Sequence, residues 1–255
     1  MARIVVAAIA LAALGPPSLL FLLSMGAGWT FPCLAPDRID WSPWKELLAG
    51  SGAFARALAT SLCAALPVGL CATVLGLAAS RSLRRRANPQ LGLAVAYLPF
   101  VLSPVVVGVC LYALLIRLGL AGSMAGVALA QCLFATAFAT VFFSEFWDPR
   151  ATEAEQLVAT LGGGELAIWR HAILPRAGGL ILVCFFQTFL FSWLDYGLAL
   201  FIGGGRVPTL TLLLFAYIRE GSVNMAALSA LLLLIPALLG VASVPFILGT
   251  ARKRA

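Results

Sequence analysis

The chain has 255 residues, of which 62% are hydrophobic and 11% charged, and its net charge is +7. A soluble domain carries about 25% charged residues, so this composition excludes an ordinary soluble globular protein and indicates an integral membrane protein. The basic residues gather at the ends of apolar runs, which is a topology signal and argues against a nucleic-acid-binding face.

Six stretches reach the roughly 20 apolar residues that a membrane-spanning helix needs. They cover about 4–25, 55–80, 91–117, 122–144, 179–202 and 225–249. The first follows Arg3 and has the alternative reading of a cleaved signal peptide. Its apolar character continues through Leu19–Leu23, past Gly15-Pro16-Pro17, which favours a spanning helix that tolerates proline. Cys63, Cys71, Cys110, Cys132 and Cys184 fall inside apolar runs, where cysteine behaves as a small hydrophobe. Cys33 lies in a loop without an obvious partner, and no cysteine spacing suggests a metal site.

Charge orients the spans. Arg3, Arg81, Arg84, Arg85, Arg86, Arg150, Arg170, Arg176, Arg252, Lys253 and Arg254 fall on one side. Arg38, Lys45, Arg56, Arg206 and Arg219 fall on the other, with Arg117 near its edge. The richer side is expected to be cytoplasmic, with both termini inside. Residues 26–54 then form an outer loop whose Trp29, Trp41 and Trp44 suit the headgroup layer. A short turn near Gly119–Gly122 and a segment at 203–224 complete the outer side.

The longest polar stretch, 145–178, is then cytoplasmic. Asp148-Pro149 reads as a helix cap followed by proline at the first helical position. Ala154, Leu157, Val158 and Leu161 recur at helical spacing as one apolar face. Gly162-Gly163-Gly164 stops that helix. A second short helix can run from Glu165 to about His171, and Pro175 disfavours helix in the residue before it. A helix this short is marginal alone in water. The alternatives are a solvated connector on the membrane surface and a docking knob for a cytoplasmic partner, and the glycine break with its apolar stripe favours docking.

This loop resembles the signature cytoplasmic loop of permease subunits of binding-protein-dependent ABC importers. That pattern is Glu-Ala-Ala, three residues, Gly, nine residues, then Ile-x-Leu-Pro. Gly162 stands 13 residues before Pro175, and Leu174-Pro175 ends the motif. At its front the sequence departs, because Gln156-Leu157-Val158 occupy the Glu-Ala-Ala positions and Glu153-Ala154 comes three residues early. Glutamine keeps the length and hydrogen-bonding capacity of glutamate without its charge. "ATSLCAALPVGLCATVLGLAASRSLRRR", "YLPFVLSPVVVGVCL" and "FLFSWLDYGLALFIGGG" extend the resemblance over residues 54–250.

The resemblance implies an all-α membrane protein of six transmembrane helices, type I permease-like, with a cytoplasmic coupling-helix loop. Residues 1–54 would form the first helix and outer loop, 55–250 a permease core with the loop at 145–178, and 251–255 a basic cytoplasmic tail. It implies multi-pass residence in a bacterial cytoplasmic membrane. Its partners would be two ATPase subunits, a second permease chain (identical or related), an external substrate-binding protein and lipid, without nucleic acid. The docking residues it implies are Glu153, Ala154, Gln156, Leu157, Val158, Leu161, Gly162, Gly163, Leu166, Trp169 and Pro175. Asp195, an acid deep in a span, and Tyr196 would line the path or its gate, while a structural hydrogen bond between helices is the equal alternative for Asp195.

The only lysines, Lys45 and Lys253, follow no phosphate-binding glycine pattern. ATP and Mg are therefore expected on a separate ATPase, and the chain is expected to bind no cofactor or metal and to be no enzyme. His171 is read as a polar residue of the loop, without an accompanying nucleophile. A secondary transporter driven by an ion gradient is the alternative. An intramembrane protease lacks its serine motif here, and a purely structural subunit does not account for the loop. The substrate class leans to polyamine, iron, thiamine or sugar.

Overall fold

The computed structural model describes the backbone of residues 2–27, 38–50, 52–86, 88–102 and 104–252, with the side chains of these except in 2–13, 104–105 and 241–252. Trp29, Cys33, Lys253 and Arg254 lie outside the described residues. In chain order the helices are α1 (Ala2–Met25), α2 (Ser42–Leu48), α3 (Ala53–Arg84), α4 (Pro89–Val101), α5 (Pro104–Arg117), α6 (Met124–Ser144), α7 (Pro149–Thr160) and α8 (Glu165–Ile168). A π-helical turn at Trp169–Ile173 leads into α9 (Leu174–Trp193), followed by α10 (Gly197–Gly203), α11 (Leu210–Arg219) and α12 (Val223–Arg252). Among the described residues, two-residue strands β1 (Gly26–Ala27) and β2 (Arg38–Ile39) pair antiparallel.

Among the described residues, four helical stretches are long and apolar enough to cross a membrane: Ala53–Arg84, Met124–Ser144, Glu165–Trp193 and Val223–Gly240. α4 and the Val106–Arg117 part of α5 meet the same length and apolarity only as a pair, bent by 95°. α1 adds 24 residues of helix that accommodates Pro16 and Pro17.

Three expectations are corrected. The third span, read as continuous over 91–117, is two helices; Leu102 is extended at φ −79°, ψ 141°, two residues before Pro104, whose ring disfavours helix just ahead of it. The fifth span, read as 179–202, ends at Trp193, and a separate short helix begins at Gly197. The segments at 26–54 and 203–224, expected as outer loops, are not plain loops, since they contain α2 and α11.

The chain divides into two compact units. One comprises residues 1–62 and 207–239. Within it the Trp44 indole N–H donates to Ser24 Oγ at 3.1 Å and its ring meets Phe21 edge-on, so Trp44 is tied to the end of α1. The Asp40 carboxylate accepts from the Ser42 N–H and hydroxyl at the start of α2. The Leu210 N–H donates to Ser61 Oγ at 2.8 Å, joining the start of α11 to α3.

The other unit comprises residues 63–206 and 240–255. α3 and α6 approach so closely that a Cβ on Gly76 would collide with Ala139. Thr73 and Thr188 hydroxyls meet at 3.1 Å and link α3 to α9. The buried cluster of this unit includes Leu77, Phe143, Trp147, Ile168, Ile173 and Cys184. Trp147 donates its indole N–H to Ser80 Oγ at 2.8 Å, so this buried donor is satisfied at the end of α3.

Candidate functional site

Local chemistry sets both ends of α7. Asp148 Oδ1 accepts the Ala151 N–H at 2.7 Å, and Pro149 occupies the first turn, where its missing N–H costs nothing. At the other end the Gly162 N–H bonds Ala159 O at 3.0 Å and the Gly163 N–H bonds Val158 O at 2.9 Å, the paired bonds of a Schellman stop. Gly162 holds φ +83°, a left-handed conformation that glycine adopts without strain. Gly163 is needed for a different reason: a Cβ there would stand 2.6 Å from Val158 Cγ1 and 2.8 Å from Val158 O. Gly164 has open space around it.

Beyond the glycines the chain does not break at Pro175 as expected. α8 passes through the π turn directly into α9, and the Leu174 N–H bonds Trp169 O five residues back. The wider turn accommodates a proline that has no N–H to offer a regular α-helical ladder. His171 lies in this turn with Nδ1 3.0 Å from Ala167 O.

The apolar positions of α7 serve two directions rather than one face. Ala151 is buried, and Ala154 and Val158 pack on the Phe143–Trp147 cluster. Leu157 and Leu161 point away at 62% and 79% exposure, and Leu166 of α8 joins them at 83%. Glu153, Gln156, Gly162 and Pro175 are also exposed, whereas Trp169 is half-buried. The structure therefore places Glu153, Gln156, Leu157, Leu161, Gly162 and Leu166 on the surface and turns Ala154, Val158 and Trp169 inward.

Sequence reasoning counted Arg81 and Arg85 only as topology charges. The structure joins them to the loop. Arg81 Nε donates to Glu155 Oε1 at 3.0 Å, and its Nη1 donates to Glu165 Oε2 at 2.7 Å. Arg85 reaches the same two carboxylates at 3.2 and 3.3 Å. The Arg81 side chain is 9% exposed, and its guanidinium carbon lies 5.1 Å from the centroid of the Trp169 ring. Planar forks of this kind bind carboxylates and stack on aromatic faces at once. At the other end of α7, Arg176 Nη1 donates to Arg150 O at 2.7 Å.

A second polar group forms where α9 ends. Asp195 Oδ2 accepts from Gln131 Nε2 at 2.9 Å and from the Ala199 N–H at 3.0 Å, while Oδ1 accepts the Leu198 N–H at 3.3 Å. The carboxylate thereby satisfies the first orphan donors of α10. Gln131, 1% exposed in α6, receives the Ser192 hydroxyl on Oε1 at 2.6 Å. Asp195 also borders two cavities. One, of about 260 Å³, is walled by Phe100, Phe134, Phe191 and Phe201; the other, of about 580 Å³, by Phe138, Gln187, Phe191 and Tyr196. Gln131 was the missed signal, a lone amide in an otherwise apolar span. Among the described residues no group of three or more His, Cys, Asp or Glu could hold a metal.

No protein-family model and no curated protein sequence matches the chain. Its fold is similar to a solved structure described as a bacterial ABC transporter involved in the import of the acidic polysaccharide alginate. The TM-score is 0.72 at 15% identity, covering 95% of this chain and 93% of that one. The chain shares the fold of that ABC transporter structure and, among its described residues, carries helices long and apolar enough to cross a membrane.

Proposed function

We propose that the chain is the permease subunit of an ATP-driven importer. It forms half of a substrate path and couples through residues 149–171 to separate ATPase subunits that bind ATP and Mg. The observation that carries this reading is the exposed knob of Leu157, Leu161 and Leu166 around the Gly162 stop, on a chain with the permease fold. Three large apolar side chains in water at a loop tip are otherwise a cost of burial forgone. A partner groove removes that cost. Closure of two ATPases on nucleotide would carry the docked helices with it and switch the path between inward-open and outward-open.

The remaining members of the assembly are a second permease chain and an external substrate-binding protein. The membrane is the bacterial cytoplasmic membrane, with both termini inside on the charge distribution. The chain itself carries out no chemistry. Asp195 and Tyr196, beside the aromatic-walled cavities, are the residues proposed to line the path or its gate. The substrate class is read from the sequence resemblance as polyamine, iron, thiamine or sugar. The 15%-identical alginate-importer structure supports the fold and leaves cargo open.

The test is purification of the tagged chain from its own membranes in mild detergent. A P-loop ATPase should copurify with the wild type and be lost with Gly162→Asp, while both proteins insert equally. Uptake that follows an ion gradient, with no ATPase in the complex, would establish the secondary-transporter reading instead.

A further inference from the structure

Resting on the importer reading, we infer that Arg81 is a positioning residue. With Arg85, Glu155 and Glu165 it forms a polar strut that makes the docking knob move as one body with the end of α3. The knob has apolar contacts with its own bundle through Ala151, Ala154 and Val158 of α7 and Ile168 of α8. Apolar contacts are non-directional and do not by themselves fix orientation. Guanidinium–carboxylate forks do not, because each bond fixes direction as well as distance.

The strut is placed for that task. Glu155 lies in α7 and Glu165 opens α8, so one guanidinium holds the segments on both sides of the Gly162–Gly164 turn. Trp169 lies against the same guanidinium and extends the grip into the π turn. Without the strut, the glycines would form a hinge between α7 and α8. With it, the hinge is bridged by four ion pairs to two carboxylates. Thr73–Thr188 and Gly76–Ala139 then seat α3 in the bundle on the inner side of the strut. Glu155 and Glu165 are thus tied to the end of α3, while Glu153 and Gln156 stay on the outward face with Leu157, Leu161 and Leu166.

The experiment reads the distance across the strut. Spin labels are placed on Ser82→Cys and Ala159→Cys, both exposed, in a chain whose native cysteines are replaced. Pulsed dipolar spectroscopy is run in nanodiscs, without nucleotide and with the copurified ATPase trapped by MgATP and vanadate. The wild type should give one narrow distance that is the same in both states. Arg81→Ala should broaden it and make it differ between states, and Arg81→Lys, which keeps the charge without the fork, should fall between. ATP hydrolysis by the complex should drop at least about fivefold in Arg81→Ala, the lower end of what coupling between two sites is worth. ATPase retention should stay unchanged.

If Arg81→Ala keeps the narrow, state-independent distance, the strut is overturned. If Arg81→Ala loses the ATPase, Arg81 only shapes the docking face and the positioning role is likewise overturned. Should Arg81→Ala fail to insert, Arg85→Ala removes two of the four ion pairs and decides the same readout. Failure of the wild type to retain any ATPase counts against the importer reading alone, since the nucleotide-free distance still decides the strut.

Discussion

The Arg81 guanidinium carbon lies over the Trp169 indole, 5.1 Å from its centroid, across 88 residues of sequence, while two carboxylates accept its N–H groups. A cation over an indole face is worth about 0.5–2 kcal/mol, more when shielded from water. Trp169→Leu keeps apolar volume and removes that face. It should lower the melting midpoint in detergent by an amount that corresponds to about 1 kcal/mol. An unchanged midpoint would mean that the indole only fills space.

The three glycines after α7 should respond differently to alanine. Gly164→Ala meets open space and should be silent. Gly162→Ala forces an L-residue to φ +83° and should cost about 1–2 kcal/mol. Gly163→Ala drives a methyl group into Val158, side chain and backbone both, and should cost most. Thermal unfolding of the three variants gives the order, and equal values would contradict the backbone geometry.

Gln131 holds Asp195 with its amide N–H and Ser192 with its carbonyl oxygen. Gln131→Leu leaves buried polar groups on both neighbours without that partner, which should cost about 1–3 kcal/mol. Gln131→Glu should also destabilise, because it sets a second carboxylate 2.9 Å from the first. Thermal melts of both variants in lipid nanodiscs check the pair; tolerance of either would remove Gln131 from the support of α10.

Leu157→Asp and Leu166→Asp alter side chains that are 62% and 83% exposed. Each should leave the melting midpoint within about 0.5 kcal/mol of wild type and still abolish ATPase copurification. A large loss of stability would place these leucines against the chain itself, and full retention of the ATPase would move the docking surface elsewhere.

The parts of this fold that depend on neighbours in sequence were legible there. Asp148, Pro149 and Gly162 act within four residues of themselves, so their capping roles follow from residue type and spacing. Apolar length located α3, α6, α9 and α12, though not whether an apolar run stays straight. The run over 91–117 bends at Leu102, and the one over 179–202 stops because Asp195 caps a new helix instead of standing inside the old one. The α7 stripe was read as a single face, yet a helix tip between a bundle and water buries one side and exposes the other. Arg81 with Glu155 and Glu165 lay beyond sequence reasoning, since their partnership spans 74 and 84 residues and no local pattern encodes it.

The tie of Glu155 and Glu165 to Arg81 and Arg85 bears on how this loop can be exchanged. A chimaera that receives residues 149–168 alone would import two acids without their arginines and seat them against foreign side chains. The transplantable module is discontinuous: the loop together with positions 81 and 85, at the end of α3 and more than sixty residues upstream.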